Sequence, residues 1–263
     1  MTPWIILGCG YVGTALARRL VADGATVTVT RRDPAAAEAV ARELGVRGLA
    51  VDLARPVEPF VAGAVVVCLA PPGADPAGEI ANLVAASRAA RRLVYVSSTG
   101  VYAPGGGAWV DESWPLAPVT AAGRARVIAE AALPAHAIAL RVAGIYGPGR
   151  GLAERLRAGT YRIIGDGTTH VSRIHVDDLV EAIVRAAATT TTGAVNIADD
   201  DPAPIGELAD AMAGVLGVAG PPRVPAASVD PEVAGMLAAD RRIANARMKR
   251  ELGVVLRYPT VRP

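Results

Sequence analysis

The sequence predicts an α/β fold in which a doubly wound, mostly parallel sheet carries a small C-terminal lobe. Apolar, β-branched runs alternate with stretches of helical periodicity as far as Gly147, and three glycines interrupt the chain between the first such run and the first helix. Beyond Gly147 the alternation breaks into shorter pieces. Repeated βα units favour right-handed crossovers and place ligands at the carboxyl ends of the strands.

Composition narrows the class of protein. Hydrophobic residues make up 52% of the 263 residues and aromatic residues only 4%, so the core must be packed mostly by aliphatic side chains. The formal charge is +2 and the arginines are scattered among acidic residues, which argues against a nucleic-acid surface. No apolar run approaches the roughly twenty residues of a membrane span, and no basic-then-apolar leader opens the chain. We therefore expect a soluble, cytoplasmic protein with no membrane partner.

The two cysteines, Cys9 and Cys68, each follow an apolar run. We expect both to be buried thiols in a reducing compartment rather than a disulfide or a metal pair. The three histidines and two cysteines show no spacing typical of metal ligands, so no metal site is predicted.

The opening stretch predicts strand, tight turn and helix start. Gly8 permits the turn, Gly10 removes a side chain that would block a pyrophosphate, and Gly13 lets the helix pack close to the strand. The helix N-terminus offers unpaired N–H groups to an anion. Such a glycine pattern is weak by itself and is strengthened by its place between a strand and a helix. The predicted phosphate site comprises Gly8, Cys9, Gly10, Tyr11, Val12 and Gly13.

The second predicted strand, residues 25–30, runs into Arg31 and Arg32. In a dinucleotide-binding fold this strand end meets the adenosine ribose, where an acidic residue favours NAD and arginine favours the 2′-phosphate of NADP. One good arginine contact would favour NADP by about ten- to a hundredfold. The alternative is that both arginines are solvated loop residues before the helix over 34–44.

The remaining elements follow in order. Strands are predicted at 48–51, 64–70, 93–97 and 137–142, and helices at 76–91 and 121–133. The later pieces are a helix at 150–158, a strand at 161–164, a helix at 177–188, a strand at 194–197, a helix at 205–216, a surface connection at 220–231 and a last helix at 240–252. We predict a dinucleotide-binding domain over 1–147 and a mainly small, substrate-binding lobe over 148–263, with 174–198 returning to the sheet.

Five ordered motifs carry a family resemblance. They are Gly-Cys-Gly-Tyr-Val-Gly at 8–13, Asp-Leu at 52–53, Val-Ser-Ser-Thr-Gly-Val-Tyr at 96–102, Arg-Val-Ala-Gly-Ile-Tyr-Gly-Pro-Gly at 141–149 and Ile-His-Val-Asp-Asp-Leu at 174–179. With them the chain resembles the extended short-chain dehydrogenases/reductases, the branch of nucleotide-sugar epimerases and dehydratases. The likeness covers nearly the whole chain and implies a Rossmann fold with a nicotinamide cofactor.

The resemblance also implies roles for single residues. Asp52 and Leu53 would meet the adenine, Arg126 the nicotinamide ribose, and the backbone of 142–145 the nicotinamide carboxamide. Ser98 would be the hydroxyl beside the reacting carbon. The implied cofactor site adds Asp52, Leu53, Leu69, Ala70, Pro71, Ser97, Arg126, Val142 and Ile145 to the glycine turn and the two arginines.

The chain departs from the family at the catalytic pair. Where the family carries Tyr-x-x-x-Lys, this sequence has Ala122 and Arg126, with Glu130 in its expected place. A phenol beside a cation can serve as an acid or base near neutral pH and typically supplies 10²–10⁴-fold in rate. A methyl group supplies no proton, and a guanidinium stays protonated.

Other groups could take part in the chemistry. Ser98, Tyr102 and Tyr146 are candidate catalytic residues, although a tyrosine in an apolar chain often only packs, and a serine at a strand end often bonds the backbone. Thr99, Arg173 and His175 are candidates on the substrate side. Arg173 could pair with a phosphate or a carboxylate, whereas His175 is either a base or a structural residue.

Our first hypothesis is an NADP-dependent oxidoreductase of the atypical short-chain type, acting on the carbonyl or alcohol of a small metabolite. NAD is the less expected cofactor. A catalytically silent NADP-binding sensor or scaffold is the alternative, and a nucleotide-sugar epimerase or dehydratase ranks third. Family likeness also suggests a homodimer through the helices predicted at 76–91 and 121–133.

Overall fold

The computed structural model describes residues 2–263 and contains a seven-stranded parallel sheet with strand order β7-β6-β5-β4-β1-β2-β3. The strands are β1 (Pro3–Leu7), β2 (Thr26–Arg31), β3 (Arg47–Ala50), β4 (Val65–Cys68), β5 (Arg92–Ser98), β6 (Ile138–Val142) and β7 (Gly193–Ile197). This topology confirms the predicted doubly wound α/β fold.

Local sequence explains where the helices begin and end. The helices are α1 (Tyr11–Ala22), α2 (Pro34–Leu44), α3 (Pro76–Ala86), α4 (Ala121–Ala131), α5 (Leu152–Arg157), α6 (Val176–Ala188), α7 (Ile205–Leu216) and α8 (Pro231–Ala238). Asp33, Asp75 and Asp230 each accept a backbone N–H at the start of a helix whose first residue is proline. Gly45 and Gly217 end α2 and α7 in the left-handed conformation.

The central sheet is buried on both faces. Alternate residues such as Ile6 and Val29 pack with α1 and α6, whereas Ile5 and Val66 pack on the opposite face with α3. Burial on both faces explains why β1 and β4 are continuous apolar runs rather than alternating ones. The carboxyl ends of the strands consequently emerge together at one edge of the sheet.

The small lobe has its own apolar cluster, which joins α5 to α7 through Leu156, Ile163 and Leu208. Short strand pairs, at Ile163–Ile164 with Arg223–Val224 and at His170–Val171 with Ala203–Pro204, complete the lobe. Two further pairs, Gly144–Tyr146 with Arg173–His175 and Trp109–Val110 with Arg242–Ile243, connect it to the sheet. Within residues 2–263, no helix has the length and apolar character needed to cross a membrane.

The C-terminal segment is tied back to the sheet domain. The carboxylate of Asp178, at the start of α6, accepts the backbone N–H groups of Arg257 and Tyr258, both at 2.9 Å. Met248 and Leu252 pack in the core that α1 and α6 share. The chain therefore returns from the lobe to the sheet domain before it ends.

The predicted last helix over 240–252 is wrong. Asp240 has a positive φ of 41°, and Arg242–Ile243 pairs as a strand with Trp109–Val110. Within 240–252 the helical part is therefore limited to residues 246–252, which end in the π-helical turn Met248–Leu252. A helix, α8, instead begins at Pro231, where we had predicted the end of a connection. Elsewhere the predicted elements are present with shifted ends, and α3 stops at Ala86 rather than at 91.

A buried polar network fastens α4 to the sheet. The guanidinium of Arg141 on β6 binds the carboxylate of Glu130 on α4 at 2.7 Å, and both side chains are less than a tenth exposed. Ser97 on β5 donates to the same carboxylate. The Tyr102 hydroxyl accepts from Arg141 and donates to Asn196 on β7. Each charge in the network is thus matched by a partner inside the protein.

We predict that Arg141→Ala lowers the free energy of unfolding by about 3–5 kcal/mol, because it leaves the Glu130 carboxylate buried without a counter-ion. The matched control is Arg42→Ala, which breaks an exposed pair with Glu38 on α2 and should change stability by less than about 1 kcal/mol. Equilibrium urea unfolding followed by circular dichroism measures both. Equal, small effects of the two substitutions would contradict the assigned role of the buried pair.

Candidate active site

The glycine turn between β1 and α1 has the shape that a phosphate site requires. Gly8 has a φ of +83°, and a Cβ at this position would lie 2.7 Å from the backbone nitrogen of Ala70. A Cβ at Gly13 would lie 3.2 Å from the Gly8 carbonyl oxygen. At Gly10 the space is open, with only the Gly8 oxygen as near as 4.0 Å. Gly8 and Gly13 therefore serve close packing, whereas Gly10 keeps the helix N-terminus accessible.

A groove of about 640 Å³ runs from this turn along the carboxyl ends of the first four strands. Arg31 and Arg32 both line it, at the end of β2. Within the part of the chain that the structure describes, the Nε atom of Arg31 is buried without a hydrogen-bond partner. A buried guanidinium donor without an acceptor is unfavourable, so the basic wall of the groove suits an anionic ligand. The predicted residues that line the groove are Gly8, Gly10, Arg31, Arg32, Asp52, Leu53, Leu69, Ala70 and Pro71.

Sequence reasoning missed the opposite wall of the groove. This wall comes from the start of α3 and the loop before it, and it includes Asp75, Glu79 and Asn82. The Asn82 amide donates to the Leu53 carbonyl at 2.9 Å and so joins α3 to the segment predicted to meet adenine. A polar side chain within an apolar helix was the available signal. The missed lining residues are Leu7, Thr30, Val51, Ala54, Gly73, Ala74, Asp75, Gly78, Glu79 and Asn82.

The other predicted cofactor residues lie outside the lining of this groove, which covers the half of the site nearest β1 to β4. Cys9 and Val12 are buried in the core, and burial raises the pKa of the Cys9 thiol. The Tyr11 hydroxyl donates to the Pro148 carbonyl. The remaining members of this set are Gly13, Ser97, Arg126, Val142 and Ile145.

The start of α4 holds the two positions where the family's catalytic pair would stand. Ala122 is exposed in the first turn, and Arg126 donates through Nη1 to the Ala122 carbonyl at 3.3 Å. The Nε atom of Arg126 is buried and has no hydrogen-bond partner among residues 2–263. At the start of α4 the Arg126 guanidinium therefore keeps N–H groups that can bind a ligand, whereas the Ala122 methyl group has no proton to transfer.

Ser98 ends β5 and begins the short 3₁₀ turn Thr99–Val101. Its Oγ accepts the backbone N–H of Gly100 at 3.1 Å. A hydroxyl that accepts one hydrogen bond still has its own proton to donate. Ser98 therefore combines the structural role that we had considered with the ability to orient a substrate oxygen.

Tyr102 is enclosed and is not retained as a candidate acid. Its side chain is 1% exposed, and its hydroxyl is occupied by Arg141 and Asn196. Burial raises its pKa to about 12. Ser97 belongs to the same network through Glu130, so we do not retain it as a cofactor contact either.

Tyr146 and His175 lie side by side on paired strands, with ring centroids 5.1 Å apart. The Tyr146 hydroxyl donates to the Thr260 carbonyl at 3.2 Å, and burial and the nearby Asp199 raise the Tyr146 pKa. His175 stacks on Tyr258 at 3.7 Å, and its Nδ1 accepts the Asp177 N–H at the start of α6. Burial lowers the His175 pKa. His175 is thus held as a neutral helix cap, and Tyr146 remains the more accessible of the two candidate tyrosines.

Arg173 lies over the backbone of Gly144, on the strand paired with it. A Cβ at Gly144 would lie 2.7 Å from the Arg173 Nη1, so the glycine makes room for the guanidinium. The Asp199 backbone N–H donates to the Arg173 carbonyl at 2.7 Å. Asp199 was not identified from the sequence, and it follows β7 at the carboxyl edge of the sheet.

A model of the NAD dependent epimerase/dehydratase family matches residues 4–198. The chain is 36% identical over 204 residues to a 3-diazoavenalumate denitrifying reductase of Streptomyces sp, covering 69% of this chain and 67% of that protein. It is 32% identical over 167 residues to a 2-alkyl-3-oxoalkanoate reductase of Stenotrophomonas maltophilia, covering 54% of this chain and 50% of that protein. The chain thus spans between half and about two thirds of the length of these two relatives.

Among solved structures, a functionally unknown conserved protein from Silicibacter pomeroyi DSS superposes with a TM-score of 0.86 at 33% identity, covering 99% of this chain and 95% of that one. A human epimerase family protein with NADPH superposes with a TM-score of 0.78 at 20% identity, covering 99% of this chain and 96% of that one. The UDP-glucuronic acid 4-epimerase of Bacillus cereus with NAD superposes with a TM-score of 0.74 at 16% identity, covering 98% of this chain and 94% of that one. The last two show the fold alone. The family match agrees with the predicted resemblance, and the chain belongs to the NAD dependent epimerase/dehydratase family.

Proposed function

We propose that this protein is an NADP-dependent oxidoreductase that reduces a carbonyl group on a small metabolite carrying a carboxylate. The observation that carries the proposal is the groove beside the glycine turn, whose wall at the end of β2 is formed by Arg31 and Arg32. Family membership supports a nicotinamide cofactor, and two reductases among the relatives support an oxidoreductase role.

The preference for NADP follows from charge. The end of β2 presents two guanidinium groups to the groove, whereas the Asp33 carboxylate that follows them accepts the Ala36 N–H as the cap of α2. Among the described residues, the Arg31 Nε is buried without a hydrogen-bond partner. The 2′-phosphate of NADP accepts such donors, whereas the ribose hydroxyls of NAD prefer an acidic residue. The Gly10 backbone and the start of α1 would hold the pyrophosphate. When bound, the cofactor supplies a hydride to the substrate carbon.

The substrate class comes from the relatives and from the charge near Gly144. Both relatives have carboxylate substrates in their names, and one of these also carries a 3-oxo group. On this chain, the Arg173 guanidinium lies against the backbone of Gly144, within the 142–145 segment that we expect to face the nicotinamide. A substrate oxygen would be oriented by Ser98, and the proton would come from Tyr146 or from a bound water.

A second candidate reaction is favoured by Ala122 in the place of the family's tyrosine. One relative is named as a denitrifying reductase of a diazo compound. Hydride addition to the carbon of an arenediazonium ion, with release of N₂, balances without a proton. A site with a cofactor groove and no phenol at the start of α4 suits such a reaction.

Removing the open space at Gly10 tests the cofactor site. Gly10→Ala should fold normally, because its φ of −92° suits alanine, and should bind NADPH about ten- to a hundredfold more weakly, since the methyl group displaces a charged hydrogen bond. Isothermal titration calorimetry measures the change. Gly214→Ala on α7, where a side chain meets nothing within 4 Å, is the control and should leave binding unchanged. Unaltered NADPH affinity in Gly10→Ala would remove the phosphate site from the proposal.

Arginine substitutions test the choice of cofactor. Arg31→Ala should reduce NADPH affinity by about ten- to a hundredfold and leave NADH affinity nearly constant, because only NADPH has the 2′-phosphate. Arg42→Ala, an exposed arginine on α2, serves as the control. Fluorescence titrations with both cofactors give the ratio. If Arg31→Ala weakened both cofactors equally, the arginine would not be selecting NADP.

Turnover distinguishes the reductase from a silent NADP-binding protein. We expect NADPH consumption with 3-oxooctanoate or with 4-hydroxybenzenediazonium, followed by absorbance and confirmed by mass spectrometry of the reduced product. Tyr146→Phe should lower kcat for the oxo acid by about 10²–10⁴-fold and leave the diazonium reaction unchanged, because only the carbonyl needs a proton. Tyr95→Phe, in the apolar core between the sheet and α3, is the control. Tight NADPH binding without turnover of either probe would favour the silent alternative.

A further inference from the structure

The Arg173 side chain lies beside Gly144, and the acidic residue Asp199 is joined to Arg173 through the backbone. Among residues 2–263, neither oxygen of the buried Asp199 carboxylate accepts a hydrogen bond of good geometry, although the backbone N–H groups of Arg173 and Asp201 lie near it. Asp199 is 1% exposed, whereas Arg173 is partly exposed. Within the same residues, the Arg173 guanidinium forms no ion pair with Asp199 and no hydrogen bond, although the two residues are joined through their backbones at 2.7 Å.

Such an arrangement leaves the cation available to a ligand. The Arg173 guanidinium is partly desolvated but still reaches solvent, so its N–H donors are free to bind an anion that enters the site. Burial accordingly lowers the Arg173 pKa, with Tyr161 and Asp199 as the nearby acidic groups that oppose this effect. Because Gly144 has no side chain, the guanidinium can occupy the space above the backbone that we expect to face the nicotinamide.

Below about pH 7, Asp199 does not neutralise this cation. Burial raises the Asp199 pKa to about 7, and the Asp201 carboxylate adds to the effect, while the Arg173 cation and the backbone N–H groups of residues 173 and 201 only partly oppose it. The other groups facing it are Tyr146 on the neighbouring strand and, through Asp201, Arg262 of the C-terminal segment. Asp199 therefore holds its proton below about pH 7 and leaves Arg173 without an internal counter-ion.

We propose that Arg173 is the receptor for the substrate carboxylate and that Asp199 is a positioning residue that governs it, neutral when the anion binds and a rival counter-ion when ionised. The planar guanidinium matches a carboxylate in two parallel hydrogen bonds. The proposal deepens the proposed function, on which it rests for the substrate, and it names the group by which that substrate is held.

The sign of the pH dependence follows directly. As pH rises from 6 to 8, Asp199 loses its proton. Its negative charge then partly neutralises Arg173 and repels an anion, so the affinity for an anionic ligand falls. An amide analogue, which carries no charge, should show little change over the same range. Replacing Asp199 by asparagine fixes the neutral state and should remove the fall.

The test compares 3-oxooctanoate with 3-oxooctanamide, bound to the protein saturated with NADP⁺ so that no turnover occurs. We expect the carboxylate to bind about ten- to a hundredfold tighter than the amide at pH 6, a preference that declines about tenfold by pH 8. Arg173→Gln should abolish the preference. Asp199→Asn should keep it at both pH values, and Asp200→Asn, whose carboxylate already binds Asn245 and Lys249, should behave as the unaltered protein.

The outcomes separate this inference from the proposed function. Carboxylate preference without any reductase turnover would support the receptor and overturn the activity. Turnover with equal binding of acid and amide would overturn the receptor. A pH dependence that persists in Asp199→Asn would assign it to another group, such as His175, and overturn the role of Asp199. If UDP bound more tightly than the oxo acid, and Arg173→Gln removed this tighter binding, Arg173 would be a receptor for a phosphate and not for a carboxylate. If Arg173→Gln fails to fold, as judged by circular dichroism, Arg173→Lys takes its place. This variant keeps the charge but cannot form two parallel hydrogen bonds to a carboxylate, so it should weaken the preference.

Discussion

The close approach of the Gly8 backbone to Ala70 sets the geometry on which the candidate site depends. The two loops that follow β1 and β4 come so near that a Cβ at Gly8 would lie 2.7 Å from the Ala70 nitrogen. That contact, together with the positive φ of Gly8, bends the chain sharply into α1 and leaves the open space at Gly10. A side chain at Gly8 would separate the loops and close the groove between them.

The two walls of the groove beside this contact carry opposite charges. One wall of the groove carries Arg31 and Arg32, and the other carries Asp75 and Glu79 at the start of α3. Parallel strands make this possible, because their carboxyl ends meet at one edge and bring residues from separate βα units together. The Arg141 and Glu130 pair fixes α4 to the same edge, so the surfaces expected to face the nicotinamide rest on a rigid support.

Because Ala122 stands in place of the family's tyrosine, the groups available for chemistry lie on the strands rather than at the start of α4. Ala122 contributes no proton, and the hydroxyl of Tyr102 is enclosed. The polar groups that remain available lie at the end of β5, on the Gly144–Tyr146 strand and on its partner Arg173–His175. A substrate held there would be oriented by charge at Arg173 rather than by a phenol and a lysine, which is consistent with a chemistry centred on hydride transfer.

The sequence by itself determined the parts of this protein that local patterns encode. The glycine turn, the arginines at the end of β2, and nearly every strand and helix of the sheet domain follow from periodicity, capping residues and backbone freedom, all of which act over a few neighbouring residues. The same reasoning failed at residues 240–252, where pairing with Trp109–Val110 outweighs helical spacing. Only the tertiary structure decided that Tyr102 is enclosed, that Asn82 reaches the groove and that the Arg173 guanidinium lies beside Gly144. It also decided that, among residues 2–263, Arg173 forms no ion pair with the buried Asp199. These facts depend on burial and on contacts between distant segments, and a single sequence carries no local pattern for either.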